Sequence, residues 1–114
     1  MTTIYKICET AHWADAERDG EFRGSAVDFA DGYIHFSTAA QVAGTAAKHF
    51  AGMSGLVLVA VAAEDLGGAL KWETSRGGAL FPHLYGALPL TAVRWVKPLR
   101  LDYDGRHVLP PLEA

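Results

Sequence analysis

Cysteine is nearly missing from this chain. Cys8 stands alone among 114 residues, which excludes an internal disulfide and fits a reducing compartment. Read by itself, Cys8 is a small buried side chain ending a strand, since no neighbour in sequence would activate its thiol. Long apolar runs are missing too: the longest covers residues 56–63, far below the roughly 18 residues a membrane-spanning helix needs. Positive charge is scarce and scattered. With 13 acidic against 10 basic side chains the formal charge is −3, and no Lys/Arg cluster could follow a phosphate backbone, so extended nucleic-acid binding is not expected. The start of the chain has neither the basic nor the apolar region of an export signal, so the expected location is cytoplasmic.

Familiar catalytic signatures are absent as well. The five histidines, at 12, 35, 49, 83 and 107, form no His-x-x-x-His or His-Glu-x-x-His pair, and no Cys-x-x-Cys exists, so no metal site is expected. There is no Gly-x-Ser-x-Gly elbow, no phosphate loop ending in Gly-Lys-Ser/Thr, and no Gly-x-Gly-x-x-Gly after a strand. Those absences remove the common hydrolase and dinucleotide-fold readings.

What is present is a foldable composition. Hydrophobic residues make up 50% and charged ones 20%, which excludes disorder and predicts one domain over residues 1–114. A chain of this size buries roughly two-thirds of its unfolded surface, enough for a core without staples. Residues 4–7 read as a first strand, and Thr10 opens a helix running to about Asp19, with Trp13 and Ala16 at helical spacing and Gly20 as its stop. Residues 21–30 mix Gly, Ser and Asp with isolated apolar residues and read as an ordered loop. Residues 56–61 are apolar on both faces, the pattern of a central covered strand. Further strands are expected at 69–74 and 92–96, with a flexible loop at 75–78, a rigid aromatic loop at 81–86 and a turn at Asp104-Gly105.

The most informative stretch is Asp31-Gly32-Tyr33-Ile34-His35-Phe36-Ser37-Thr38 with Gln41. Asp31-Gly32 is a turn pair, 33–37 alternates as a strand, and Thr38 with Gln41 fits a capping box that opens a helix to about Phe50. The alternation puts Ile34 and Phe36 on one face and Tyr33, His35 and Ser37 on the other. If the apolar pair faces the core, His35 stands beside hydroxyls near a helix N-terminus, a corner suited to an anion. His83 and Tyr85 in Phe81-Pro82-His83-Leu84-Tyr85-Gly86 are a second pair able to face a ligand. Glu73 with Arg76 could orient a ribose hydroxyl or bind a phosphate, although a surface ion pair would look the same. Lys6 faces outward, or into a cleft where it would hold an anion.

Taken together, Ile4-Tyr5-Lys6-Ile7, Trp13, the Ile-His-Phe-Ser-Thr block, Leu70-Lys71-Trp72-Glu73 and the Phe-Pro-His-Leu-Tyr-Gly block resemble a bacterial family catalogued as domain of unknown function 952. The resemblance covers about residues 3–99 and leaves 100–114 as a C-terminal extension. That family is similar in fold to ADP-ribosyltransferases, including the RNA 2′-phosphotransferase group. The resemblance therefore implies an α+β domain with the ADP-ribosylation fold, small mixed sheets forming a cleft, two main helices, and NAD as ligand. Tyr5-Lys6 stands where the phosphotransferases carry Tyr-His, and His35 and Ser37 stand where they carry the His and Ser of Val-His-Leu-Ser. The Glu-x-Glu element is not present, and Glu73 takes its place by position. On this resemblance Lys6, His35 and Ser37 hold pyrophosphate and ribose, Thr38, Arg76 and His83 are further ligand-binding residues, Tyr85 stacks on nicotinamide, and His35 and Glu73 carry catalysis. The sequence leaves open a non-catalytic module that binds a nucleotide-like or anionic metabolite, and a purely structural role for His35, His83 and Tyr85. It also leaves open the oligomeric state.

Overall fold

The computed structural model describes residues 1–114 except the side chain of Arg76. Along the chain run β1 (Thr3–Glu9), α1 (Thr10–Asp19), β2 (Glu21–Phe22), α2 (Ala26–Asp31), β3 (Ile34–His35), β4 (Ser37–Thr38), α3 (Val42–His49) and β5 (Leu56–Ala62). They are followed by β6 (Leu70–Thr74), β7 (Leu80–Leu84), β8 (Leu88–Pro89), β9 (Val93–Leu101) and β10 (His107–Val108). Turns of 3-10 helix fill Ala63–Ala69, Arg76–Gly78 and Leu90–Ala92. The class is α+β. Among the described residues no helix is long and apolar enough to cross a membrane.

The apolar run of β5 is buried at every position, because it lies inside a five-stranded sheet of order β10-β9-β5-β1-β4. Its period of two sends alternate side chains into separate cores. Val57, Val59 and Val61 join Ile4 and Cys8 of β1, Trp13 and Ala16 of α1, and Ile34, Phe36 and Leu84. Leu56, Leu58 and Ala60 join Tyr5 and Ile7 beneath α3, which contributes Val42 and Ala46. Each fully buried Val or Leu here contributes about 1.5–3 kcal/mol. A second sheet, β3-β7-β6, and a short β2-β8 ribbon complete the fold. The strand pairings are antiparallel, not mixed as expected: β6-β7 and β9-β10 are local hairpins, and each of the longer excursions, such as residues 10–55 between β1 and β5, brings the chain back in the opposite direction.

Several local expectations change. The loop expected at 21–30 contains β2 and most of α2, a helix with one buried residue, Asp28, and hence no apolar stripe to announce it. The single strand expected at 33–37 divides around Phe36: β3 pairs with β7, whereas β4 pairs with β1. Phe36 keeps its own amide on the Pro82 carbonyl at 3.0 Å. The helix expected from Thr38 begins at Val42, since Thr38 is held as strand and its N–H donates to the Gln41 side chain at 3.1 Å. The aromatic loop expected at 81–86 is mostly β7, and the strand expected at 92–96 extends as β9 to Leu101. Beyond β10 the chain crosses the second core, where Leu109 and Leu112 pack, and the Tyr5 hydroxyl both donates to the Glu113 carbonyl and accepts from its N–H at 2.8 Å.

Candidate functional site

The site starts from Asp28, a residue the sequence reading passed over. Ser25 caps α2 and Gly32 ends it in the left-handed conformation, so Asp28 faces inward at the first turn. Its carboxylate is almost wholly enclosed and collects every donor around it. Lys6 Nζ donates to both oxygens at 3.0 and 2.8 Å, and the Ser25 N–H and hydroxyl donate to Oδ2 at 2.8 and 3.0 Å. The His35 N–H and Nδ1 meet Oδ1 at 3.1 and 2.6 Å. Gly24 makes this approach possible: at φ +126 a Cβ there would stand 2.9 Å from the Asp28 Cβ. Burial pushes the Asp28 carboxyl upward, but the hydrogen bond from His35, the charge and hydrogen bond of Lys6, and the Ser25 amide hold it well below the usual carboxylate range.

His35 carries this network to the surface. Its Nε2 lies 2.8 Å from Asp31 Oδ2 at the end of α2, and the ring remains about a third exposed, 32%. Only a ring bearing two protons donates to both carboxylates at once. The expected hydroxyl surroundings are therefore replaced by carboxylates. Ser37, on the next strand, turns its Oγ to Thr45 Oγ1 of α3 at 2.8 Å. Lys6 is likewise no free anion ligand: its side chain is 5% exposed and its charge is neutralised by Asp28.

Across the second sheet, His35 stands directly opposite His83. Tyr33 stacks on His83 at 4.1 Å between centroids and meets His35 at 4.6 Å, and the two imidazoles are 5.7 Å apart. Behind them, His83 Nδ1 and the Tyr85 hydroxyl converge on Glu73 Oε1 at 2.8 and 2.7 Å. The bond from His83, then that from Tyr85, holds the Glu73 carboxyl below its ordinary value, while the same carboxylate raises the Tyr85 phenol. Burial, followed by the charges of Asp31 and Glu73, raises Tyr33. The partners of Glu73 are thus His83 and Tyr85; the Arg76 side chain suggested for that place lies outside the described residues.

A cleft of about 470 Å³ opens where β4 stops pairing with β1, after Tyr5. Lys6, His35, Ser37 and His83 line it together. Thr38, Glu73 and Tyr85 lie outside the lining; Glu73 meets it through His83 and its cross-strand neighbour Phe81, and Tyr85 through the Tyr33 ring. Phe50 and Phe81 supply apolar wall, and Thr45 and His49 of α3 lie on the lining. Such a volume suits a small organic ligand. Among the described residues no group of three His, Cys, Asp or Glu side chains is arranged to hold a metal ion. Cys8 takes no part, since burial pushes its thiol up to about 11.

Beyond the imidazoles, the residues that shape the cleft are Asp28, Asp31 and Tyr33. One signal for Asp28 stands in the sequence: Ser25-Ala26-Val27-Asp28 is a Ser-x-x-Asp helix start. Tyr33 carries the same strand parity as His35.

The sequence model of a family described as protein of unknown function (DUF952) matches residues 7–96. Among solved structures, the chain is similar to the crystal structure of protein CC0527 from Caulobacter crescentus, with 54% identity, 94% of each chain covered and a TM-score of 0.91. A crystal structure of a double mutant of that protein gives 52% identity, 94% coverage of each chain and a TM-score of 0.90. Its solution structure gives 56% identity, coverage of 93% of this chain and 91% of the other, and a TM-score of 0.83. Among curated proteins none matches the sequence.

Proposed function

The chain belongs to the DUF952 family, a family of unknown function, and from that premise we propose that its cleft binds a nucleotide-like small molecule, with NAD the first to test. The observation that carries this reading is the cross-strand pairing of His35 with His83. It sets two carboxylate-oriented imidazoles, a buried serine and aromatic wall around one cleft of ligand size. The finer reading, drawn from the resemblance to the ADP-ribosylation fold, is ADP-ribosyl transfer. There the bond between nicotinamide and ribose breaks, nicotinamide leaves with the electron pair, an acceptor hydroxyl or water bonds to the same ribose carbon and gives up its proton, and the positive charge developing on the ribose is stabilised electrostatically. His35 and His83 are the residues placed to touch such a ligand. Glu73 meets His83 rather than the cleft, and so acts as a positioning residue.

A second reading, binding without turnover, is favoured by one feature of the same site. Both nitrogens of His35 and the ammonium of Lys6 already engage carboxylates, which leaves neither free as a base. Calorimetric titration with NAD, combined with chromatographic assay for nicotinamide, tests both. Saturable heat that disappears in His83→Ala supports the site; nicotinamide release identifies transfer, and binding without release identifies the module. No heat at millimolar NAD contradicts the proposal.

A further inference from the structure

Resting on the reading of the cleft as a nucleotide-type site, we infer that it seats the nucleoside part of its ligand, ring and ribose, and leaves the phosphates outside. Recognition sites for phosphate present cations or spare N–H donors. Among the described residues of this cleft, Lys6 and His35 already spend their N–H groups on carboxylates. Lys6, one cation of its wall, is bound to both oxygens of an enclosed carboxylate, and drawing it toward a phosphate would strip Asp28 of its counter-charge inside the protein. Both N–H groups of a doubly protonated His35 point to Asp28 and Asp31. Asp31 itself sits on the lining, where it repels a dianion and attracts a hydroxyl or amine proton.

The hydroxyl chain points the same way. Thr45 Oγ1 donates to the Gln41 carbonyl at 3.3 Å, so the 2.8 Å bond between Ser37 and Thr45 takes its proton from Ser37. Ser37 Oγ is then left with lone pairs only. His83, donating from Nδ1 to Glu73, keeps Nε2 for a ligand, and in the neutral ring that atom accepts. A ribose hydroxyl or an exocyclic amine has protons for these three acceptors; a phosphate dianion has none. Phe50, half-buried on the lining, gives a flat ring apolar surface to lie against. The cleft, at about 470 Å³, has room for a nucleoside.

The experiment uses the intact chain and pairs each probe with its own phosphorylated form: adenosine, guanosine, cytidine and uridine against their 5′-monophosphates, with 2′,3′-dideoxyadenosine and NAD alongside, all by competition and calorimetry. We expect at least one nucleoside to bind as tightly as its monophosphate and to compete with NAD. Loss of the ribose hydroxyls should weaken binding by about tenfold, and Ser37→Ala should remove most of that difference while the nucleoside still binds. Monophosphates or NAD binding about tenfold or more tightly than every nucleoside would overturn this inference and leave the nucleotide-site reading standing. Failure of nucleosides, monophosphates and NAD alike would overturn that reading as well.

Discussion

Asp28 is the residue on which the site is built, because it is the common acceptor for β1, the α2 cap and β3. An ion pair enclosed this far stabilises little by itself, but removing one partner strands the other charge. Asp28→Asn is therefore expected to lower unfolding free energy by about 3–5 kcal/mol in urea denaturation, with Lys6 left unpaired. Acid sensitivity follows from the same contacts. The folded Asp28 carboxyl is depressed, so the unfolded chain takes up the proton first. Its contribution is complete above about pH 4 and drains away as pH falls below that toward the lower folded value. The melting temperature of the natural chain should fall across that acid window, and Asp28→Asn should flatten the fall. Strand parity and aromatic context pointed to His35, Ser37 and His83, and the three line one cleft. The neutralised state of Lys6 was not legible, since its partner lies 22 residues away on a segment without periodicity.

Elements long enough to repeat a pattern were readable, and those that were not were missed. β5 carries seven apolar residues and α1 has its Trp13 and Ala16 spacing, so both stood out. α2 has six residues and buries one, while β3 and β4 have two each and look like a single alternating strand. Their separation depends on which distant strand each pairs with, information that the local alternation of 33–37 does not hold. The C-terminal segment is the other non-local feature. Tyr5 clasps the Glu113 peptide at both its N–H and its carbonyl, and Trp95 Nε1 adds a bond to the Glu113 side chain at 3.3 Å. Tyr5→Phe removes both backbone bonds. It is expected to cost about 1–3 kcal/mol and to release the Glu113 amide to rapid hydrogen exchange while β5 amides stay protected.

At the scale of the whole molecule, the cleft exists because β4 covers only the first part of β1, leaving the rest of that edge to face the β3-β7-β6 sheet. Residues 33–38 connect the two sheets, so His35 on one and Ser37 on the other reach the same hollow, and β7 adds His83 by register. The family resemblance, rather than composition or alternation, placed the chain among α+β domains. None of these could give the antiparallel arrangement of every strand pair, which depends on connections within 21–38 and 80–90 that carry almost no apolar periodicity. The most direct test follows the imidazole resonances of His35 and His83 by NMR during titration with NAD. Both rings should shift along curves giving one shared dissociation constant, while His12, which lines a different hollow beside α1, stays still. NAD that leaves both rings unmoved, or that moves His12 instead, would contradict a common site.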